Sequence, residues 1–191
     1  MSASGTTCIA AVHRYSARAL PPLEPPLIDL LPLAQVAGPA VEALLDRAFG
    51  ADRHARTAYR VRGAARAIPA LSFAAMEADL LVGSIQCWPI RFAGDDGVVA
   101  PLVMVGPVAV LPDRQRDGIG RRLVETALAA AVREGLDTAL MLIGDPEYYG
   151  RFFDFTATHT GAWRLPGPVE RHRLLARGDG VPARAGDVGP A

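Results

Sequence analysis

Apolar positions along the chain fall into two periods. Between Pro39 and Phe49, the residues Val41, Leu44, Leu45 and Phe49 share one stripe of a 3.6-residue helix, and Gly50 suits the turn that ends it. The longest such segment, Gly118 to Glu134, puts Leu123, Ala127, Ala130 and Ala131 inward and Arg121, Arg122, Glu125 and Arg133 outward, with Gly135 as its stop. Asp145 and Pro146 read as the cap and first residue of a short helix through Phe152. A further helical stretch, Arg53 to Arg62, is studded with Arg53, Arg56, Arg60 and Arg62, which suit a solvated face or an acidic ligand.

The remaining apolar runs read as strands. They are Leu27 to Leu33, Ala70 to Met76, Leu80 to Phe92, Val98 to Leu111, Thr138 to Ile143, Thr160 to Leu165 and Arg171 to Ala176. Gly94 to Gly97 supplies a hairpin turn. Val98 to Leu111 is apolar on both faces, as in a central strand covered by helices, and Gly106-Pro107 in its middle must loosen the pairing there because proline lacks the ladder donor. The predicted order is strand, two helices, three strands, helix, strand, helix, two strands. Residues 1–25, ending in a proline-punctuated stretch, read as a disordered arm. Residues 178–191, rich in glycine and proline, read as a disordered tail. Between them, 26–177 is one domain of ordinary size.

Composition narrows the function. Of 191 residues 50% are hydrophobic and 21% charged, enough apolar surface for a core. Twenty basic residues, all arginine as in the products of GC-rich bacterial genomes, balance twenty acidic ones, so no global field gathers nucleic acid or a membrane surface. An anion site must therefore be local. Cys8, Cys87 and four scattered histidines do not compose a metal quartet, and a cytoplasmic, reducing home is expected. No apolar run reaches the roughly 18 residues of a membrane span, and a secretory signal is missing.

The chemistry concentrates where the central strand meets the long helix: Pro112, Asp113, Arg114, Gln115, Arg116, Asp117, Gly118, Ile119, Gly120. Glycines two apart at a helix start let the backbone approach a ligand and aim free N–H groups at one point, where the helix dipole favours an anion. Arg116, Arg121 and Arg122 can add forked bonds to phosphate oxygens. The same spacing also fits a plain tight turn before a helix. A nucleotide-triphosphate P-loop is excluded, since no GxxxxGK[ST] occurs.

Gln115-x-x-Gly118-x-Gly120, after an apolar strand and before an amphipathic helix, resembles the Q/R-x-x-G-x-G/A acyl-CoA loop of the GNAT superfamily of N-acetyltransferases. Gly106-Pro107-Val108-Ala109-Val110 before the loop and Asp145 to Phe152 after the next strand are similar to the YhbS-type branch of that family. The resemblance covers roughly Leu27 to Ala176 and implies an α/β (α+β) fold: a mixed, mostly antiparallel sheet of about seven strands, splayed at a CoA cleft and flanked by about four helices. It implies an acetyl-CoA-dependent N-acyltransferase without metal, whose partner is a small-molecule or peptide amine; a homodimer is left open. It further implies that Val108, Ala109 and Val110 pair with the pantetheine amides, that Gln115, Arg116, Asp117, Gly118, Ile119, Gly120 and Arg121 cradle the pyrophosphate, and that Tyr149, or else Tyr148, protonates the departing thiolate. The family usually continues this helix into Gly-Phe, where this chain has Asp154-Phe155; aspartate tolerates a left-handed turn.

A base for the incoming amine is open among Glu77, His159 and Asp145, each of which also has a structural reading as turn residue, surface histidine or helix cap. Trp88 and Trp163 read as packing residues. By resemblance the acceptor is expected against Pro39 to Arg66 and Leu165 to Arg171. Two other readings fit the loop: a CoA-binding sensor or scaffold without activity, and an acyltransferase fed by an acyl carrier protein.

Overall fold

The computed structural model describes residues 27–191, so the expected arm 1–25 lies outside it. The described chain runs β1 (Ile28–Pro32), α1 (Gly38–Phe49), α2 (Thr57–Arg62), β2 (Phe73–Glu77), β3 (Leu80–Gly94), β4 (Val99–Val110), α3 (Ile119–Arg133), β5 (Leu140–Ile143), α4 (Pro146–Phe153), β6 (Trp163–Arg164), β7 (Leu174–Arg177) and β8 (Gly186–Pro190). One sheet takes the order β1-β2-β3-β4-β5-β7, with β8 on β3 and β6 on β8. Its pairs are antiparallel except β4–β5 and β6–β8. The mixed, mostly antiparallel sheet expected from the sequence is present.

Helix α3 covers one face. Ile119, Leu123, Val124, Ala127, Ala130 and Ala131 are buried against β2, β3 and β4. Gly83 of β3 makes the close approach possible: a Cβ there would stand 2.9 Å from Ile119 Cγ2. A second core gathers Ile90, Phe92, Met104, Met141, Trp163 and Val188. Burying a branched or aromatic side chain contributes about 1.5–3 kcal/mol, so both cores matter to the sheet.

Two expectations change. The tail 178–191 is ordered: β8 lies along β3 from Ile90↔Pro190 to Gly94↔Gly186, and Val188 is buried in the second core. Its glycines serve packing, since a Cβ on Gly186 would come within 2.5 Å of the Ala93 carbonyl oxygen. The stretch Arg53 to Arg62 divides into a 3-10 turn, Ala51–Ala55, and α2. It is no solvated face throughout, because Arg53 and Arg62 are 2% and 9% exposed. Asp145 does cap α4, accepting from the Glu147 N–H at 2.9 Å, and Asp154 ends it at φ 58° in the left-handed turn.

Candidate functional site

Strands β4 and β5 stay together for two residue pairs, Val103↔Leu140 and Met104↔Met141. Beyond these, β4 bulges, with Cys87↔Val105 on one side and Ile85↔Val108 on the other, while β5 continues along β7 through Leu142↔Leu175 and Ile143↔Leu174. The interruption at Gly106-Pro107 falls inside that bulge. The parting strands open a cavity of about 820 Å³ between Val105 to Val108 on one wall and Leu142 to Asp145 on the other. In the β3–β4 ladder, the Leu111 N–H donates to the Val82 carbonyl at 2.9 Å. Alternate residues point alike, so Val108 and Val110 turn their main-chain groups to the cleft and Ala109 turns its own to β3. Of the expected pantetheine partners, Ala109 is therefore engaged in the sheet.

At the end of β4 a 3-10 turn, Pro112–Arg114, leads to Gly118 at φ 74°, ψ 5°, the N-cap of α3. That left-handed backbone is what glycine supplies here. The N–H groups of Gln115, Arg116, Gly118, Ile119, Gly120 and Arg121 have no acceptor among the described residues. A Cβ on Gly120 would stand 3.6 Å from Val110 Cγ2, an ordinary contact, so packing does not demand glycine there. Arg114 straps the loop from behind, bonding Asp117 at 2.6 Å and also Glu77. Those two bonds hold its guanidinium above its usual pKa. Asp117 and Glu77 are thus both engaged. Arg116 is exposed with no side-chain partner among the described residues. Arg121 pairs with Glu125 at 2.8 Å and lies 4.8 Å over the Phe152 ring. Arg122 departs from expectation: it donates to the Ile28 carbonyl at 2.9 Å and ties α3 to β1.

Helix α4 brings Tyr149 to the cavity and leaves Tyr148 outside its lining. Burial pushes the Tyr149 phenol up to about 12, with the neighbouring Tyr148 a smaller cause. Its ring lies over Gly144, where a Cβ would be 2.6 Å from Tyr149 Cδ2. Only a glycine at 144 admits the ring there, a close contact that the sequence reading missed. Tyr148 packs edge-on against Tyr149, Phe152 and Phe153, centroids 5.1, 5.3 and 5.8 Å away. Among the candidate bases Asp145 lines the cavity; Glu77 and His159 do not, and His159 is exposed. Glu170, also overlooked, lines the cavity. Trp163 is a packing residue, as expected, with its Nε1 donating to the Pro182 carbonyl at 2.9 Å.

The opposite wall is α2, the turn before it, and Pro168 to Glu170 with Arg173. Thr57 Oγ1 donates to the Pro168 carbonyl at 2.6 Å and joins these pieces. Buried Arg53 donates to Asp46 at 2.7 Å, to Glu42 and to the Tyr59 hydroxyl. Burial works against its charge, yet these bonds hold its pKa above the usual value. Arg62 lies against two rings, its guanidinium carbon 3.8 Å from the Tyr59 centroid and 4.0 Å from that of Trp88. Arg60 remains exposed and reaches the Pro166 carbonyl at 3.4 Å. Nothing local in the sequence distinguishes these arginines, since their partners come from α1, α2 and β3.

Residues 39–151 match the model of the acetyltransferase (GNAT) family. An uncharacterized N-acetyltransferase of Streptomyces griseus is 28% identical over 150 residues, 78% of this chain and 32% of that protein, so the chain spans about a third of that relative's length. The uncharacterized N-acetyltransferase YhbS of Escherichia coli is 29% identical over 140 residues, 71% of this chain and 81% of its own. Among solved structures, that of Escherichia coli YhbS in complex with CoA superposes with a TM-score of 0.64 at 22% identity, covering 90% of this chain and 93% of its own. A GNAT family acetyltransferase from Brucella melitensis in complex with acetyl-CoA gives 0.53 at 23% identity, covering 80% and 96%. These two likenesses establish the fold. Among the described residues, no helix is long and apolar enough to cross a membrane, and no group of His, Cys, Asp or Glu is arranged to hold a metal ion.

Proposed function

The chain belongs to the acetyltransferase (GNAT) family, and from that premise we propose that it is an acyl-CoA-dependent N-acyltransferase, moving acetyl from acetyl-CoA to a primary amine by direct attack in a ternary complex. The observation that carries this reading is the wedge between β4 and β5, followed in the chain, directly after β4, by the unpaired N–H groups of the α3 loop. The residues present fit the coenzyme. Val108 and Val110 offer main-chain groups to the pantetheine amides along the free edge of β4. Gln115, Arg116, Gly118, Ile119, Gly120 and Arg121 offer N–H groups to the pyrophosphate, with the Arg116 guanidinium beside them. Asp117 takes part through the loop it shapes with Arg114, and Ala109 through the ladder that holds β4 in place. When bound, the coenzyme supplies an activated thioester.

The protein's share of the chemistry is positioning, carbonyl polarisation and proton handling. Binding both reactants in one cleft removes the entropy of encounter. The Val108 N–H, facing the cleft, donates to the carbonyl oxygen as negative charge builds there. Tyr149, a phenol protonated at neutral pH whose burial raises its pKa further, presents its hydroxyl to the departing sulfur. Asp145 and Glu170 are the cavity carboxylates able to take the amine's proton through water.

Titration calorimetry with acetyl-CoA and thiol release with a panel of amines test the reading together. We expect one acetyl-CoA bound per chain without added metal, a raised Tm because the folded state binds, and thiol release that depends on amine. Absence of binding at millimolar acetyl-CoA overturns it, and binding without turnover leaves a sensor in its place.

A further inference from the structure

Four arginines and two carboxylates line the cavity: Arg53, Arg56, Arg62 and Arg173 against Asp145 and Glu170. Arg53 is answered by Glu42 and Asp46, and Arg56 donates to the Phe49 carbonyl at 2.7 Å. Arg62 is different. More than nine-tenths of it is buried, its Nη1 has no hydrogen-bond partner, and no carboxylate among the described residues forms an ion pair with it. A buried cation that no carboxylate bonds is held at a cost, and such groups gather where function needs them. Burial is the largest influence on Arg62 and lowers its pKa, with Tyr59 and the more distant charge of Glu42 opposing it. On the same strand face as its stacking partner, Trp88 Nε1 and Gln86 Oε1 also lack partners.

We propose that the acceptor is an amine that also carries a carboxylate, received by Arg62 at the α2 end of the cavity. The Tyr59 and Trp88 rings both lie against the guanidinium carbon, so its N–H groups, Nη1 among them without a partner, are what remains to recognise a ligand. A planar carboxylate meets guanidinium N–H groups with two parallel bonds. A phosphate is the other oxyanion the site could meet, but its second charge calls for a second unpaired buried cation. Among the described cavity arginines, Arg62 alone is both buried and without an ion pair.

This inference rests on the acetyl transfer proposed above, and the test separates the two. Thiol release by the full-length protein is followed with acetyl-CoA and matched acceptors: glycine, β-alanine, 4-aminobutyrate and glycylglycine, each beside its carboxamide, and 2-aminoethyl phosphate beside ethanolamine. The expected result is a carboxylate acceptor whose kcat/KM exceeds that of its carboxamide at least tenfold, the discrimination a charge-assisted pair provides. In Arg62→Gln the ratio should fall towards one through the KM of the carboxylate, with acetyl-CoA affinity held. Equal use of acid and amide, or preference for the phosphate, overturns the assignment; so does an Arg62→Gln protein that keeps the full ratio. If that variant does not fold, the matched acceptors on the unaltered protein decide. Failure of acetyl-CoA to bind defeats the parent reading, whereas turnover without carboxylate preference defeats this one alone.

Discussion

The α3 loop that follows β4 and the α2 wall of the cavity offer different chemistry to the same kind of partner. On the α3 side the donors are main-chain N–H groups from Gln115 to Arg121, held by a left-handed Gly118 and strapped by Arg114, while Arg116 and Arg121 stay exposed. On the α2 side the donors are side chains taken out of water, Arg53 within its carboxylates and Arg62 against two rings. A main-chain cradle needs only local glycines and a helix start, so any oxyanion of fitting shape is served. Buried guanidinium groups need aromatic and acidic neighbours from distant segments, and in return they discriminate. On the proposed reading the first region receives a coenzyme common to many proteins and the second an acceptor particular to this one.

The largest effect is expected where the walls meet. Tyr149→Phe keeps the ring over Gly144 and removes the hydroxyl, so acetyl-CoA affinity and Tm should hold while turnover falls by roughly 10²–10⁴. An interaction made mainly in the transition state lowers kcat and kcat/KM together. Tyr148→Phe, outside the cavity lining, is the control. If the control is the damaging change, the proton comes from the α3 side of α4 and the two-wall division fails at its floor.

The tail tests whether the walls are separable. Deleting residues 181–191 removes buried Val181 and Val188 and the carbonyl that Trp163 Nε1 bonds. Two buried valines amount to about 3 kcal/mol or more, and a chain of this size should lose on the order of 10 °C in Tm. Pro190 also abuts Gly63 at the end of α2, where a Cβ would be 2.7 Å from its Cγ. The acceptor KM should therefore rise while acetyl-CoA affinity stays. A matching loss of coenzyme affinity, read by calorimetry, would join the walls into one unit.

Gly120→Val addresses the main-chain wall alone. Alanine would meet only an ordinary contact at that position, and on the proposed reading valine sets its branches against the pyrophosphate. We expect acetyl-CoA affinity to fall at least tenfold, about 1.4 kcal/mol, with the fold retained. Unchanged affinity would make the loop a plain turn.

What could be read from the sequence follows the same division. The loop, the cap at Asp145, the interruption at Gly106-Pro107 and the α3 stripe all depend on residues within a few positions of each other, and each was legible. The buried arginines were not, because a run of Arg53, Arg56, Arg60 and Arg62 is the same string whether solvated or enclosed; Glu42, Tyr59 and Trp88 decide it through tertiary contact. Gly144 and β8 were missed because glycine signals freedom in a sequence but permits close packing in a fold, as against Tyr149 and Ala93. The tail's only apolar residues larger than alanine, prolines aside, are two valines, too little to announce a strand until Phe92 and Trp163 supply the surface they complete.

The smallest effect concerns Cys87, which sits opposite Val105 where β4 begins its bulge, at the seam beneath both walls. Burial pushes its thiol up to about 12 from 9.0, partly offset by a hydrogen bond with the Gly106 backbone. The unfolded chain binds fewer protons than the folded one once pH passes the unfolded pKa, so stability falls as pH rises between these values and is unaffected at neutral pH. At pH 9.5 the loss from this group is on the order of 1 kcal/mol. Urea unfolding of the protein and of Cys87→Ala, each at pH 7.5 and 9.5, isolates it: the substitution lowers stability at both values by leaving a small void, but the difference between the two pH values should shrink by that amount. An unchanged difference would mean that the thiol meets water in the folded state, and that the seam is as open as the cleft above it.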